Sequence, residues 1–128
     1  MTKIKISTTG KYDLIDITDD VIDAIDIKNG LVTVFAKHTT AGILITENEV
    51  NLKKDWIKFF KESFDGKQFN HDKLDGNGGS HLLGGLVGSS ETLIVEDGIV
   101  LGNWQRIFLV DFDGPRTREL VIKTIKDD

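Results

Sequence analysis

Apolar and polar residues alternate along this chain in short runs, separated by breaks rich in Gly, Asn and Asp. Strict alternation predicts a half-buried strand, and apolar recurrence every three to four residues predicts an amphipathic helix. Lys3 to Thr8 alternates and reads as a strand. Asp19 to Lys28 reads as a short helix, capped by Thr18, favoured by two early aspartates and stopped by Asn29-Gly30. "LVTVFAKH" is β-branched with period two and predicts a strand ending at His38. "TTAG" turns, and "ILIT" predicts the next strand. A helix is expected from Asn48 to about Phe64, because Leu52, Trp56, Phe59, Phe60 and Phe64 recur at helical spacing, with Gly66 ending it.

Residues 65 to 81 read as a polar loop, followed by a short helix in "HLLGGLVG" that Gly84 and Gly85 weaken by about 1 kcal/mol each. "TLIV", "EDG" and "IVL" predict a hairpin. "WQRIFLVDF" predicts one long strand, and "DGPRTR" turns into the last strand, "ELVIKTI". Six or seven strands with two or three flanking helices give an α+β chain built mainly on an antiparallel β-sandwich. No linker, repeat or charge block divides the 128 residues, so a single domain over 1–128 is expected.

Composition narrows the chemistry. The chain has no cysteine, which excludes disulfides and thiolate metal sites. Its net charge is −5 with both signs interspersed, so no basic face is offered to nucleic acid or to a membrane surface. No run approaches the ~20 apolar residues of a membrane span, and the N-terminal stretch lacks a signal-peptide core. These features favour the cytoplasm. No G-x-S-x-G elbow, P-loop or dinucleotide fingerprint occurs; "GNGG" fits none of them.

The residues able to do chemistry cluster unevenly. Of the three histidines, His38 ends a strand, His71 lies in the polar loop, and His81 follows ten residues later. Three neutral imidazoles can hold zinc or a similar divalent ion and leave a coordination position open, although the spacing is not diagnostic and three ordinary polar histidines are the alternative. Asp75 and Asn77 sit beside glycines, as turn residues do, or else support an imidazole and a ligand. Gly76, Gly78 and Gly79 would let the backbone fold sharply and bring Asn77 and His81 to one point. A Ser80 cap would aim the N–H groups of the next helix at the same cavity.

Glu47 and Glu49 are either charges at a helix start or site carboxylates. Thr39 and Thr40 offer hydroxyls in the turn after His38. Gln105 and Arg106 lie in an apolar strand, where neighbours point to opposite faces. One of them therefore turns inward, toward an ion-pair partner or a ligand. Arg116 and Arg118 share a face if the turn runs directly into the strand, and arginine matches phosphate oxygens.

Three segments, "FAKHTTAGILITENE", "DGNGGSHL" and "LGNWQRIFLVDFDGPRTR", together resemble the YjbQ-like family in order and spacing, from about Gly30 to Arg118. Members of that family are often labelled thiamine-phosphate synthase enzymes. The family pattern often has proline at position 79 and threonine at position 103, where this chain has glycine and asparagine; neither change removes a candidate ligand.

The resemblance implies a compact sandwich assembled as a homotrimer, with a polar cluster drawn from His38, Glu47, His71, Asn77, His81, Gln105 and Arg106. The function it implies is a small-molecule enzyme, with transfer of a phosphorylated pyrimidine to a thiazole phosphate as its specific form. In that expectation His81, Asp75, Glu47 and Asn77 are catalytic. Thr39, Thr40, Gln105, Arg106 and Arg116 bind a small phosphorylated molecule, and His38, His71 and His81 hold a divalent metal, zinc or magnesium. A metal-dependent hydrolase and a non-catalytic anion-binding trimer are the alternatives.

Overall fold

The structure, a computed structural model, describes residues 1–128. Seven strands form two antiparallel sheets. In chain order the elements are β1 (Thr2–Ser7), β2 (Asp13–Asp16), α1 (Thr18–Asp23), β3 (Asn29–Ala36), β4 (Ala41–Thr46), α2 (Val50–Ser63), a 3-10 turn (Asn70–Lys73), α3 (Gly78–Val87), β5 (Ser90–Glu96), β6 (Arg106–Asp111) and β7 (Thr117–Lys126). The four-stranded sheet has the order β1-β7-β3-β5 and the three-stranded sheet β2-β6-β4.

Burial explains this layering. β6 reads "RIFLVD" and is apolar on both faces. Ile107 and Leu109 point between the sheets, into a cluster with Val32, Val34, Ile43, Leu120 and Ile122. Phe108 and Val110 point the other way, into a second cluster with Leu14, Phe60, Leu83 and Phe112 that lies under α2 and α3. A strand buried on both sides reads as a continuous apolar run, as this one does. The result is three layers: one sheet, the second sheet, and α2 and α3 packed on the second sheet's outer face, while α1 sends Val21 into the cluster between the sheets. The expected sandwich with flanking helices is what the chain forms.

Four local expectations change. β2 was not anticipated, because "DLID" holds only two apolar residues. They divide between the two clusters, Ile15 facing the sandwich and Leu14 the helices, and pairing with β6 makes the strand. The "EDG" hairpin reduces to a single bridge, Val95 to Ile99, and β5 pairs along its length with β3 instead. The long strand begins only at Arg106. Trp104 and Gln105 lie outside it and are exposed, and the Gln105 side chain accepts from Gly102 N–H at 2.8 Å. α1 is shorter than expected, and Thr18 does not cap it; its hydroxyl accepts from Ile107 N–H at 2.8 Å instead.

Candidate functional site

The turn between β3 and β4 carries His38, Thr39 and Thr40, and α3 lies directly on it. Contact is close enough that a Cβ at Gly84 would stand 2.7 Å from the Thr39 carbonyl oxygen, so only glycine lets the helix approach. The seam opens into a cavity of about 350 Å³, lined by His38, Thr39, Ala41, His81, Gly84, Gly85 and Ser89. Two of the three histidines thus face one space. The third, His71, packs its ring edge-on against His81, with centroids 4.4 Å apart.

His38 is fixed by the sheet: its Nε2 accepts the Glu119 N–H at 2.8 Å. Burial pushes its pKa below the ordinary value of 6.5, and the Arg118 cation acts in the same direction. Behind the turn lies a fully desolvated ion pair. Arg118 is 3% exposed and Asp111 is 0% exposed. Arg118 donates to both oxygens of Asp111 and, at 2.8 Å, to the Thr40 hydroxyl. The Thr8 hydroxyl donates to the same carboxylate at 2.6 Å. Burial alone would raise the Asp111 pKa, but the bonds from Arg118, Thr8 and Asp113 N–H outweigh it and hold it low. Thr40 therefore serves this buried network and does not line the cavity, in contrast to the expectation that it binds substrate.

The start of α3 is organised by Asp72 rather than by the expected Ser80 cap. Asp72 accepts from Phe69 N–H and Gly78 N–H, both at 2.8 Å, and these bonds lower its pKa. Asp75 is exposed, and its nearest oxygen is 3.6 Å from His71 Nε2, too long for a hydrogen bond. Ser80 lies inside the helix and donates to the Phe112 carbonyl at 2.7 Å.

Gly76 adopts φ +68°, the left-handed conformation that glycine tolerates, just before Asn77 opens the helix. Asn77 and His81 nevertheless point to different places. Asn77 donates to Asp113 at 2.9 Å and borders a separate cavity of about 320 Å³, where Lys11, Lys61 and Lys67 gather with Asp65 and Asp72.

The remaining expected residues lie elsewhere. Glu47 and Arg106 line a third depression with Asp16, Asn103 and Trp104. Arg106 is held by Asp16 at 2.8 Å, with Asp19 at 3.6 Å. Burial alone would raise the Asp16 pKa, but the bonds from Arg106, Thr18 and Asn48 hold it at about 2. Of Arg106, Arg116 and Arg118, the one that faces inward is Arg118. Arg116 is exposed and pairs with Asp113 at 3.2 Å. Glu49 accepts from Leu52 N–H at 3.1 Å and caps α2.

The donor set does not fit the expected metal. No three His, Asp or Glu side chains of one chain are placed to hold an ion, and the Nε2 lone pair of His38 is already engaged by a backbone N–H.

A family model described as "UPF0047 protein YjbQ-like" matches residues 2–127. A UPF0047 protein of Archaeoglobus fulgidus is 39% identical over 125 residues, covering 96% of this chain and 99% of that one. A second, from Methanocaldococcus jannaschii, is 42% identical over 130 residues, covering 98% and 94%. Among solved structures, a YbjQ-like protein of unknown function from Sulfolobus solfataricus superposes with a TM-score of 0.94 at 33% identity, covering 98% of this chain and 96% of that one. An uncharacterised YjbQ/UPF0047 protein of Clostridium acetobutylicum gives 0.92 at 34% identity, covering 98% and 100%.

Proposed function

The chain belongs to the YjbQ-like UPF0047 family, and on that premise we propose that it is a small-molecule enzyme with His81 as its acid–base group. The observation that supports this is the single cavity on which His38, Thr39 and His81 open together, with His71 against the back of the His81 ring. An imidazole titrates near working pH and can give or take a proton in a transition state, an effect of about 10²–10⁴-fold. The edge-on His71 ring restricts the orientation of His81, and the Thr39 hydroxyl orients a polar group of the ligand. Transfer onto a thiazole phosphate, the activity suggested by the family label, is the specific case: a departing diphosphate needs a proton or a positive charge.

The His38–His81 cavity itself contains no lysine or arginine. In this proposal a phosphoryl group entering that cavity meets imidazole and hydroxyl donors rather than a cation, and the Lys11, Lys61 and Lys67 cluster is a separate depression at the start of α3. A cytoplasmic homotrimer belongs to the same reading. It is supported by an apolar strip on the outer face of the four-stranded sheet, where exposed Leu31 stands opposite both Ile94 and Ile125. Single-chain surfaces rarely leave such strips uncovered.

The test is turnover of pyrimidine diphosphate and phosphoester substrates by the wild type and by His81→Ala, with light scattering on both. Turnover should fall at least about 10²-fold in the variant while the assembly persists. Undiminished turnover by His81→Ala rejects the assignment, and a monomer at micromolar concentration rejects the trimer.

A further inference from the structure

β3 and β7 run antiparallel, and their last paired residues at this end are Ala36 and Leu120. One step further, Lys37 N–H still donates to the Glu119 carbonyl at 3.4 Å. In a continuing ladder Glu119 N–H would return a bond to the Lys37 carbonyl. It donates instead to His38 Nε2, at 2.8 Å. The imidazole has taken the place of a strand carbonyl where β3 turns away.

That substitution fixes the proton on the ring. An N–H donates only to a lone pair, so Nε2 is unprotonated, and a neutral imidazole then carries its single hydrogen on Nδ1. Turning the ring over would set a C–H against the Glu119 amide and leave a part-buried donor unsatisfied, at about 1–3 kcal/mol. The one hydrogen bond the ring makes within the chain is that at Nε2, and the ring lines the cavity that His81 faces.

We infer that His38 is a fixed hydrogen-bond donor, presenting Nδ1–H to an acceptor oxygen of the ligand (carbonyl, carboxylate or phosphoryl), and that it is not a metal ligand. The ligand half of this inference rests on the proposed use of the cavity; the tautomer does not. Coordination through Nδ1 would require a second lone pair on the ring, and coordination through Nε2 would release Glu119. On balance the surroundings, burial first, disfavour the charged ring. Burial and Arg118 on β7 disfavour its charged form, as does Lys37, against Asp111 on β6 and Glu119 on β7; His81 on α3 faces it across the cavity. A donor that stays neutral binds an oxygen without gaining or losing a proton, which leaves the acid–base step to His81.

The test is long-range ¹H–¹⁵N correlation spectroscopy of the three histidines in the full-length ¹⁵N-labelled protein, with His71→Gln and His81→Gln used for assignment. At pH 7.5 His38 should show a pyrrole-type Nδ1 and a pyridine-type Nε2. Added Zn²⁺ should leave the His38 nitrogens and the Glu119 amide unmoved, even if it binds elsewhere. Acetate or inorganic phosphate, used as oxygen-acceptor probes, should shift the Nδ1–H signal. An Nε2–H tautomer, a charged ring at pH 7.5, or Zn²⁺ freeing the Glu119 amide overturns the assignment. Absence of any Nδ1–H response to both probes overturns the donor role. Because the tautomer is read without turnover, a failure of His81 as the acid–base group is separately visible and leaves it standing.

Discussion

Replacing Arg118 with Met is expected to be the most damaging single change near the site. Both members of the Arg118–Asp111 pair are almost wholly removed from water. Asp111 would keep only the bonds from Thr8 and Asp113 N–H, and the Thr40 hydroxyl would lose its donor. Stranding one charge of a buried pair costs about 3–5 kcal/mol. At about 2.1 cal/mol/K of unfolding entropy per residue, 1 kcal/mol moves the melting point of this 128-residue chain by roughly 4 °C. The expected fall is therefore about 10–20 °C by calorimetry, with a matching loss in urea titration. Arg118→Lys should not rescue it, since an ammonium cannot span both Asp111 oxygens and Thr40 at once. The double change Asp111→Leu with Arg118→Met should be less damaging than either single change, because it strands no charge. A loss below about 1 kcal/mol for Arg118→Met, or a double variant worse than the sum of the two singles, would refute the reasoning.

Four further outcomes can be checked. Gly84→Ala should destabilise by about 1–3 kcal/mol, because its Cβ meets the Thr39 carbonyl at 2.7 Å. Gly85→Ala, with open space at its Cβ, should instead gain up to about 1 kcal/mol of helix propensity, and equal effects in denaturant titration would contradict the close approach. Arg106→Ala should cost about 1 kcal/mol, discounted for the solvent around the arginine, and leave phosphate affinity unchanged; a loss of affinity would restore Arg106 as a ligand residue. The contribution of Asp16 should be full above its unfolded pKa of 3.8 and disappear as pH falls through about 2. His38 binds its proton less readily folded than unfolded, so its contribution is full above pH 6.5 and declines as pH falls below that value. Urea titrations from pH 7.5 to 5 should show a shallower decline in His38→Ala than in the wild type.

The strands were legible wherever one face or both faces are apolar, as in "LVTVFAKH" and "ELVIKTI". They were not legible where pairing rather than composition makes the strand. β2 exists because β6 offers it an edge. The Gly-rich run was legible as a place of close approach, and Gly78, one of the three glycines expected there, makes one, its Cβ position lying 2.7 Å from Phe69. Gly84, read only as a weak point in a helix, is where α3 meets the turn, while Gly85 and Gly76 meet nothing. The nearness of His38, His71 and His81, expected as one ligand set, was legible. That His38 spends Nε2 on the sheet was not, because it depends on where β3 ends relative to β7. Arg106 drew notice as a charge in an apolar strand, yet it is the first residue of β6 and reaches out to Asp16.

The buried ion pair shows how such a site is readable once period and layer are combined. In β6 the residues facing the sandwich are Ile107, Leu109 and then Asp111; in β7 they are Ile122, Leu120 and then Arg118. Each series keeps period two and ends in a charge, one negative and one positive. Facing strands of opposed sheets bring their inward residues together across the core, so the two charges meet at the same end of the sandwich. A lone charge there would be intolerable, and each is therefore evidence for the other. Arg116, two residues before Arg118, escapes this logic because β7 begins at Thr117; it remains outside the strand and pairs locally with Asp113. The pair also stands where β4 begins, opposite Ala41 and behind Thr40. The same two charges that close the sandwich thereby fix the turn that carries His38 and Thr39, and the shape of the cavity follows from the end of the core.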